Sequence, residues 1–188
     1  MADLSGKFCT PNQIHWTFDL WANANGTVAG LIADHADTRY FILPDYISGH
    51  AMTNDAASAL QKLGGKELGR STYAFPGTTD FASPLLKAKA SGAKVICLAN
   101  ADDDTSNCIK QAPEFGIPQS GVRLAGLLMQ DYIIKSIGLD TAQGLVGVLP
   151  WCWNTNAAAV LGVDKAKASG RAVADQMKAM PVADYFDH

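Results

Sequence analysis

The sequence predicts a doubly wound α/β domain built on a parallel sheet. Three observations carry that expectation. Apolar runs alternate five times with amphipathic stretches, each pair separated by Gly, Pro, Asn or Asp. The central run, Lys94-Val95-Ile96-Cys97-Leu98-Ala99, is continuously apolar after its first residue, as expected of a strand buried on both faces. No repeat at a solenoid period and no low-complexity tract interrupts the pattern, and 188 residues suffice for a buried core.

The elements follow in order. Met1 to Asn25 is aromatic-rich (Phe8, Trp16, Phe18, Trp21) without clean periodicity, and Asp19 to Ala33 reads as a helix leading into the first strand. Arg39 to Leu43 is that strand, stopped by Pro44. His50 to Leu63 places Met52, Ala56, Ala59, Leu60 and Leu63 at helical spacing, and Gly64-Gly65 ends it. Leu68 to Phe75 is a second strand closed by Pro76-Gly77. A helix capped by Asp80 then carries Phe81, Leu85 and Leu86 to Gly92, with Pro84 in its first turns. After the central strand, Asn100 to Asp104 reads as a polar loop, and Asp104 or Thr105 caps a helix running to Phe115. Arg123 to Met129 is the fourth strand, Asp131 to Ile137 a short helix, and Gly144 to Leu149 the fifth strand. Ala157 to Met180 reads as mostly helical despite Gly162 and Gly170.

Composition narrows the function. A net charge of -3 and an isoelectric point near 5.7 argue against a general nucleic-acid-binding surface. No apolar run approaches the roughly 18–20 residues that cross a bilayer. The opening residues, MADLSGKFC, lack the apolar core of a secretory signal, so the expectation is that this form of the chain encodes no export. G-x-G-x-x-G after a strand, the P-loop G-x-x-x-x-G-K-[ST] and the G-x-S-x-G elbow are all absent.

In a doubly wound sheet, ligands bind beyond the carboxyl ends of the strands. The qualifying loops are Pro44–Gly49, Gly77–Asp80, Asn100–Thr105, Met129–Asp131 and Pro150–Asn154. Asp102-Asp103-Asp104 either serves Mg²⁺ or phosphoryl chemistry together with Asp45, or caps a helix, favours its dipole and is solvated. His15, His35, His50 and His188 do not pair with cysteine at zinc spacing, and Cys9, Cys97, Cys108 and Cys152 contain no C-x-x-C. Neither a metal nor an organic cofactor is expected. Cys97 reads as a small buried apolar residue. Trp151 and Trp153 either line a cleft or cover the sheet edge. Tyr46 sits in a loop entering a helix N-terminus, which suits an anionic group.

One set of residues, Cys9-Thr10-Pro11-Asn12, His15-Trp16-Thr17-Phe18-Asp19, Phe41 to Tyr46 and Gly49-His50-Ala51, resembles a known group. So does a second: Ala90 to Ile96, Leu98 to Ala101, Ile109-Lys110-Gln111 and Glu114-Phe115-Gly116. Together they look like the periplasmic substrate-binding proteins of ABC transporters, of the type I leucine/isoleucine/valine-binding class, and mainly their second lobe. The likeness runs from about Lys7 to Trp153.

The resemblance implies a flavodoxin-like lobe of a periplasmic receptor. Such a receptor closes two lobes on an amino acid or similar small carboxylate or amide and delivers it to a membrane permease, without catalysis. It implies ligand contacts from Tyr46, Ser48, Asn100, Ala101, Asp102, Gln130, Asp131 and Trp151, with Asp102 or Asp131 holding a solute ammonium group. The expected organisation is one lobe over residues 1–188, with 1–25 as lead-in, 157–188 as a C-terminal helical segment, and the first lobe missing. A lobe standing alone would self-associate through its exposed aromatic face. The competing expectation is a flavodoxin-like enzyme or phospho-acceptor domain using Asp45 and the Asp102–Asp104 cluster.

Overall fold

Residues 7–12 and 19–148 are described by the computed structural model. The chain divides after Leu149 into two units, and every described residue belongs to the first.

Helix α1 (Leu20–Ala33) starts where the Asp19 carboxylate accepts the Trp21 amide at 2.7 Å, satisfying one of the unpaired first-turn donors. Strand β1 (Thr38–Pro44) is buried at every position after the first. Its side chains alternate between two cores, as a period of two requires. Tyr40 and Ile42 join one cluster, and Phe41 and Leu43 the other.

Helix α2 (Ile47–Lys62) returns along one face and ends in a Schellman turn. There the Gly65 amide reaches the Leu60 carbonyl at 2.8 Å and the Gly64 amide reaches Gln61 at 3.1 Å. Gly64 supplies the left-handed backbone this requires, at φ 79°. Strand β2 (Lys66–Tyr73) then pairs parallel with β1, the register skipping one residue between Glu67 and Gly69. Helix α3 (Ala82–Ala90) tolerates Pro84 because a first-turn residue lacks an intrahelical acceptor for its amide.

Strand β3 (Val95–Leu98), helix α4 (Asp102–Gln111), strand β4 (Arg123–Gly126), helix α5 (Asp131–Ile137) and strand β5 (Val146–Gly147) complete the unit. Two 3₁₀ turns, Ala112–Phe115 and Pro118–Ser120, separate α4 from β4.

All pairings are parallel, and the strand order is β2-β1-β3-β4-β5. The chain steps from β1 outward to β2, then crosses back over β1 to β3 and continues the other way. Right-handed crossovers therefore put α2 on one face and α3, α4 and α5 on the other. The two cores agree with that assignment. Leu20, Val28, Met52 and Leu60 of α1 and α2 meet Phe41, Leu43 and Cys97. Leu85, Ile109 and Ile133 of the opposite helices meet Ile42, Ile96 and Leu98.

Several element limits differ from the sequence expectation. Helix α2 begins at Ile47, three residues before His50, because the Tyr46 carbonyl already accepts the His50 amide at 3.1 Å. The polar Ser48-Gly49 pair hides that first turn from a hydrophobic-period reading. Helix α4 begins at Asp102, so Asp102 to Asp104 are its first turn and not a loop. Thr105 cannot cap it, since its hydroxyl donates at 2.8 Å to the side-chain Oδ1 of the buried Asn100. Strand β2 ends at Tyr73, short of Phe75, and β4 ends at Gly126, short of Met129. Leu127 and Met129 are buried all the same, because an apolar run reports burial and not ladder pairing. The expectations for Trp16, Phe18, Trp151, Trp153 and the helix over 157–180 lie outside the described residues.

Candidate functional site

The reversal of strand order falls between β1 and β3, where the loops after these strands leave toward opposite faces and open a crevice. A cavity of about 280 Å³ lies at this point. Pro44 and Tyr46 line it after β1, Phe75, Pro76 and Gly77 after β2, and Ala101 to Asp104 after β3.

The first wall is aromatic. Tyr46 precedes α2 in extended backbone, with its amide donating to the Pro44 carbonyl at 2.8 Å. Its ring stacks on Phe75 with centroids 4.9 Å apart and planes 22° from parallel. Both rings keep a large exposed face, at 40% for Tyr46 and 51% for Phe75. The loop is tied down by the Asp45 amide, which donates to the Tyr73 carbonyl at 2.8 Å, and by the His50 Nε2–Asp45 Oδ1 pair at 2.8 Å. Gly49 completes the fit of α2 against this loop, since a Cβ there would meet the Pro44 carbonyl oxygen at 2.5 Å.

The opposite wall is acidic. Asp102 opens α4 with φ 53°, a left-handed conformation costly for a residue with a Cβ. The Tyr132 hydroxyl, from the first turn of α5, donates to its Oδ1. Asp104, half-buried, accepts the Tyr73 hydroxyl on Oδ2 at 2.7 Å. Asp103 is exposed. Burial first, and then donation to Asp104, push the Tyr73 phenol far above the usual tyrosine range. Tyr132 moves the same way, through desolvation and then the Asp102 carboxylate.

Tyr46, Ala101 and Asp102 thus come together around one cavity. Asn100 sits beneath it, 2% exposed, its amide spent on the Thr105 hydroxyl and on the Cys108 sulfur at 3.5 Å. Ser48, half-buried in the first turn of α2, is not part of the lining. Gln130 caps and Asp131 opens α5, two residues and one residue before the Tyr132 that joins this helix to Asp102, and neither is part of the lining. Asp131 Oδ1 is buried and has no hydrogen-bond partner among the described residues. Trp151 lies outside the described residues. Phe75, Tyr73 and Tyr132 escape the sequence reading. Phe75 passes for the end of a strand, and the phenols' acceptors are some thirty residues away along the chain.

The geometry does not assemble the acidic site that Asp45 and Asp102–Asp104 suggested. Asp45 is paired with His50, and two of the three aspartates are bonded to tyrosines that arrive from different elements. Among the described residues no group of three or more His, Cys, Asp or Glu side chains is gathered where a metal ion would bind. Cys97 is fully buried, which pushes its thiol up to about 12, and burial raises Cys108 as well, so neither is a ready nucleophile.

Comparison with known proteins gives the site a context. The sequence model of a family described as periplasmic binding protein matches residues 1–187. A solved periplasmic binding protein from Burkholderia mallei is 36% identical, with a TM-score of 0.78 over 89% of this chain and 45% of that one. A branched chain amino acid ABC transporter periplasmic ligand-binding protein from Burkholderia xenovorans is 28% identical, with a TM-score of 0.82 over 90% of this chain and 46% of that one. A solute binding protein of an ABC transporter from Rhodopseudomonas palustris, in complex with benzoate, shares the fold at 17% identity and a TM-score of 0.72, over 89% of this chain and 46% of that one. The chain therefore spans less than half the length of these structures. A search of curated proteins finds no match.

Proposed function

Because this chain belongs to the periplasmic binding protein family, we propose that it is a solute-gripping lobe of an ABC importer's periplasmic receptor, closing with a companion lobe on an amino acid and delivering it to the permease. The observation that carries this reading is the cavity at the strand-order reversal, with stacked Tyr46 and Phe75 on one side and Asp102 to Asp104 on the other. Among the described residues its lining contains carboxylates and no basic side chain. A solute presented to this lobe therefore meets acceptors for a cation and an aromatic surface that a cation or an apolar side chain favours. An α-amino acid fits through its ammonium group, held by Asp102, with its side chain against the rings. A benzoate carries no positive group, and its carboxylate is repelled here.

Ligand binding to the native state raises stability by RT ln(1 + [L]/Kd), about 2.7 kcal/mol when the ligand stands at 100 times its Kd. Differential scanning fluorimetry of the chain with L-leucine and with benzoate at millimolar concentration tests the reading. The expected outcome is an upward shift with leucine, reduced in Asp102→Asn, and none with benzoate. Stabilisation by benzoate and not by any α-amino acid overturns the assignment of solute class.

A further inference from the structure

We propose that Tyr132 is a positioning residue for the solute site, acting through Asp102. This rests on the solute-binding reading above and assigns a role within that site.

Among the described non-glycine residues that line the cavity, Asp102 alone has a left-handed backbone. It starts α4 in left-handed conformation, with Asp103 beside it, also at the helix N-terminus and able to compete for the same first-turn amides. What fixes it comes from α5. The Tyr132 hydroxyl donates to Asp102 Oδ1. The Asp102 carbonyl accepts the Ser106 hydroxyl at 3.2 Å, and Ser106 lies 3.1 Å from the Ser136 hydroxyl, one turn beyond Tyr132 on α5. Ser136 is itself anchored to the Ile133 carbonyl at 2.9 Å. The start of α4 is thus held at its carboxylate by Tyr132 of α5 and at its carbonyl by Ser106 of its own next turn.

Tyr132 does little else. Its ring is 45% exposed, and Ile133 and Ile137, not Tyr132, anchor α5 in the core. Its hydroxyl engages one carboxylate oxygen, while Oδ2 has no hydrogen-bond partner among the described residues and is left to a donor on the solute. Asp104 on the same helix turn is held in parallel fashion, by the buried Tyr73 from β2. Two phenols from opposite sides therefore set the two bonded carboxylates of the acidic wall. The exposed phenol serves the carboxylate with the strained backbone.

Tyr132→Phe removes the hydroxyl and keeps the ring. Without any solute, three-bond NMR couplings across the Asp102 Cα–Cβ bond report its χ1 rotamer. The expected result is one rotamer in the parent chain and averaging among rotamers in Tyr132→Phe, with far-ultraviolet circular dichroism unchanged. Couplings that stay the same overturn the proposal whatever the protein binds. With L-leucine as the titrant, Tyr132→Phe is expected to weaken binding about three- to tenfold in the parent. The same change has less than about twofold effect in an Asp102→Asn background, since the phenol acts through that carboxylate. An equal loss in both backgrounds makes Tyr132 a direct contact or a scaffold residue and overturns its positioning role. A parent chain that binds no leucine defeats the amino-acid reading, while the couplings still decide whether Tyr132 holds Asp102.

Discussion

Tyr73→Phe isolates a single bond between the core and the acidic wall. Tyr73 is 7% exposed, its ring meets Phe81 edge-on with centroids 4.9 Å apart, and its hydroxyl donates to Asp104 Oδ2 at 2.7 Å. Phenylalanine keeps the ring contact, so the change removes only the hydroxyl. A hydrogen bond to a charged group contributes ~1.5–3 kcal/mol net. Asp104 is half-buried and regains some water when released, which reduces the expected loss to about 1–2 kcal/mol. At roughly 2–4 °C per kcal/mol for a chain of this size, Tm falls by about 2–8 °C near neutral pH. The pH dependence supplies a second readout. The folded-state phenol titrates above its unfolded value, so its stabilisation is complete below about pH 10. It is lost as pH rises toward the folded-state value, because the unfolded chain releases that proton first. Scanning calorimetry from pH 7 to 11 is therefore expected to show a steeper alkaline fall in the parent than in Tyr73→Phe. A variant with unchanged Tm at pH 7 and the same alkaline slope refutes the account of Tyr73 and Asp104.

Gly49→Ala is expected to destabilise by about 1–3 kcal/mol in urea titration, since the new methyl meets the Pro44 carbonyl oxygen at 2.5 Å and the Pro44 ring at 3.0 Å. The relief is a shift of the first turn of α2, so the same variant loses solute response through Tyr46, and an unchanged urea midpoint contradicts the packing described. Peptide-resolved alkylation with iodoacetamide at pH 8 is expected to leave Cys97 and Cys108 unmodified in the folded chain and to label both in guanidinium, while the exposed Cys9 reacts throughout. Rapid native labelling of Cys97 contradicts its place in the sheet core.

How much of this was legible in the sequence depends on whether the determining contacts are local. Val95 to Leu98 was readable as a strand because a segment buried on both faces has to be apolar throughout. Asp131 to Ile137 was readable as a helix to the residue, its end marked by Gly138. The sequence pointed to five segments beyond the strand ends. The strand order places two of them, which carry Tyr46 and Asp102, at the reversal between β1 and β3. What those loops present was not legible. Three consecutive aspartates after a strand suggest a solvated cap or a cation site, and nothing within ten residues distinguishes the two. The distinction comes from Tyr73 and Tyr132, whose hydroxyls reach Asp104 and Asp102 from β2 and α5. Phe75 escapes for a related reason, because its pairing with Tyr46 exists only once the loops after β1 and β2 lie side by side. Strand order thus decides which loops meet. The character of the wall they form is set by side-chain partners that only the closed sheet brings within reach, so a reading from local pattern identifies the crevice before it can identify what the crevice is shaped to hold.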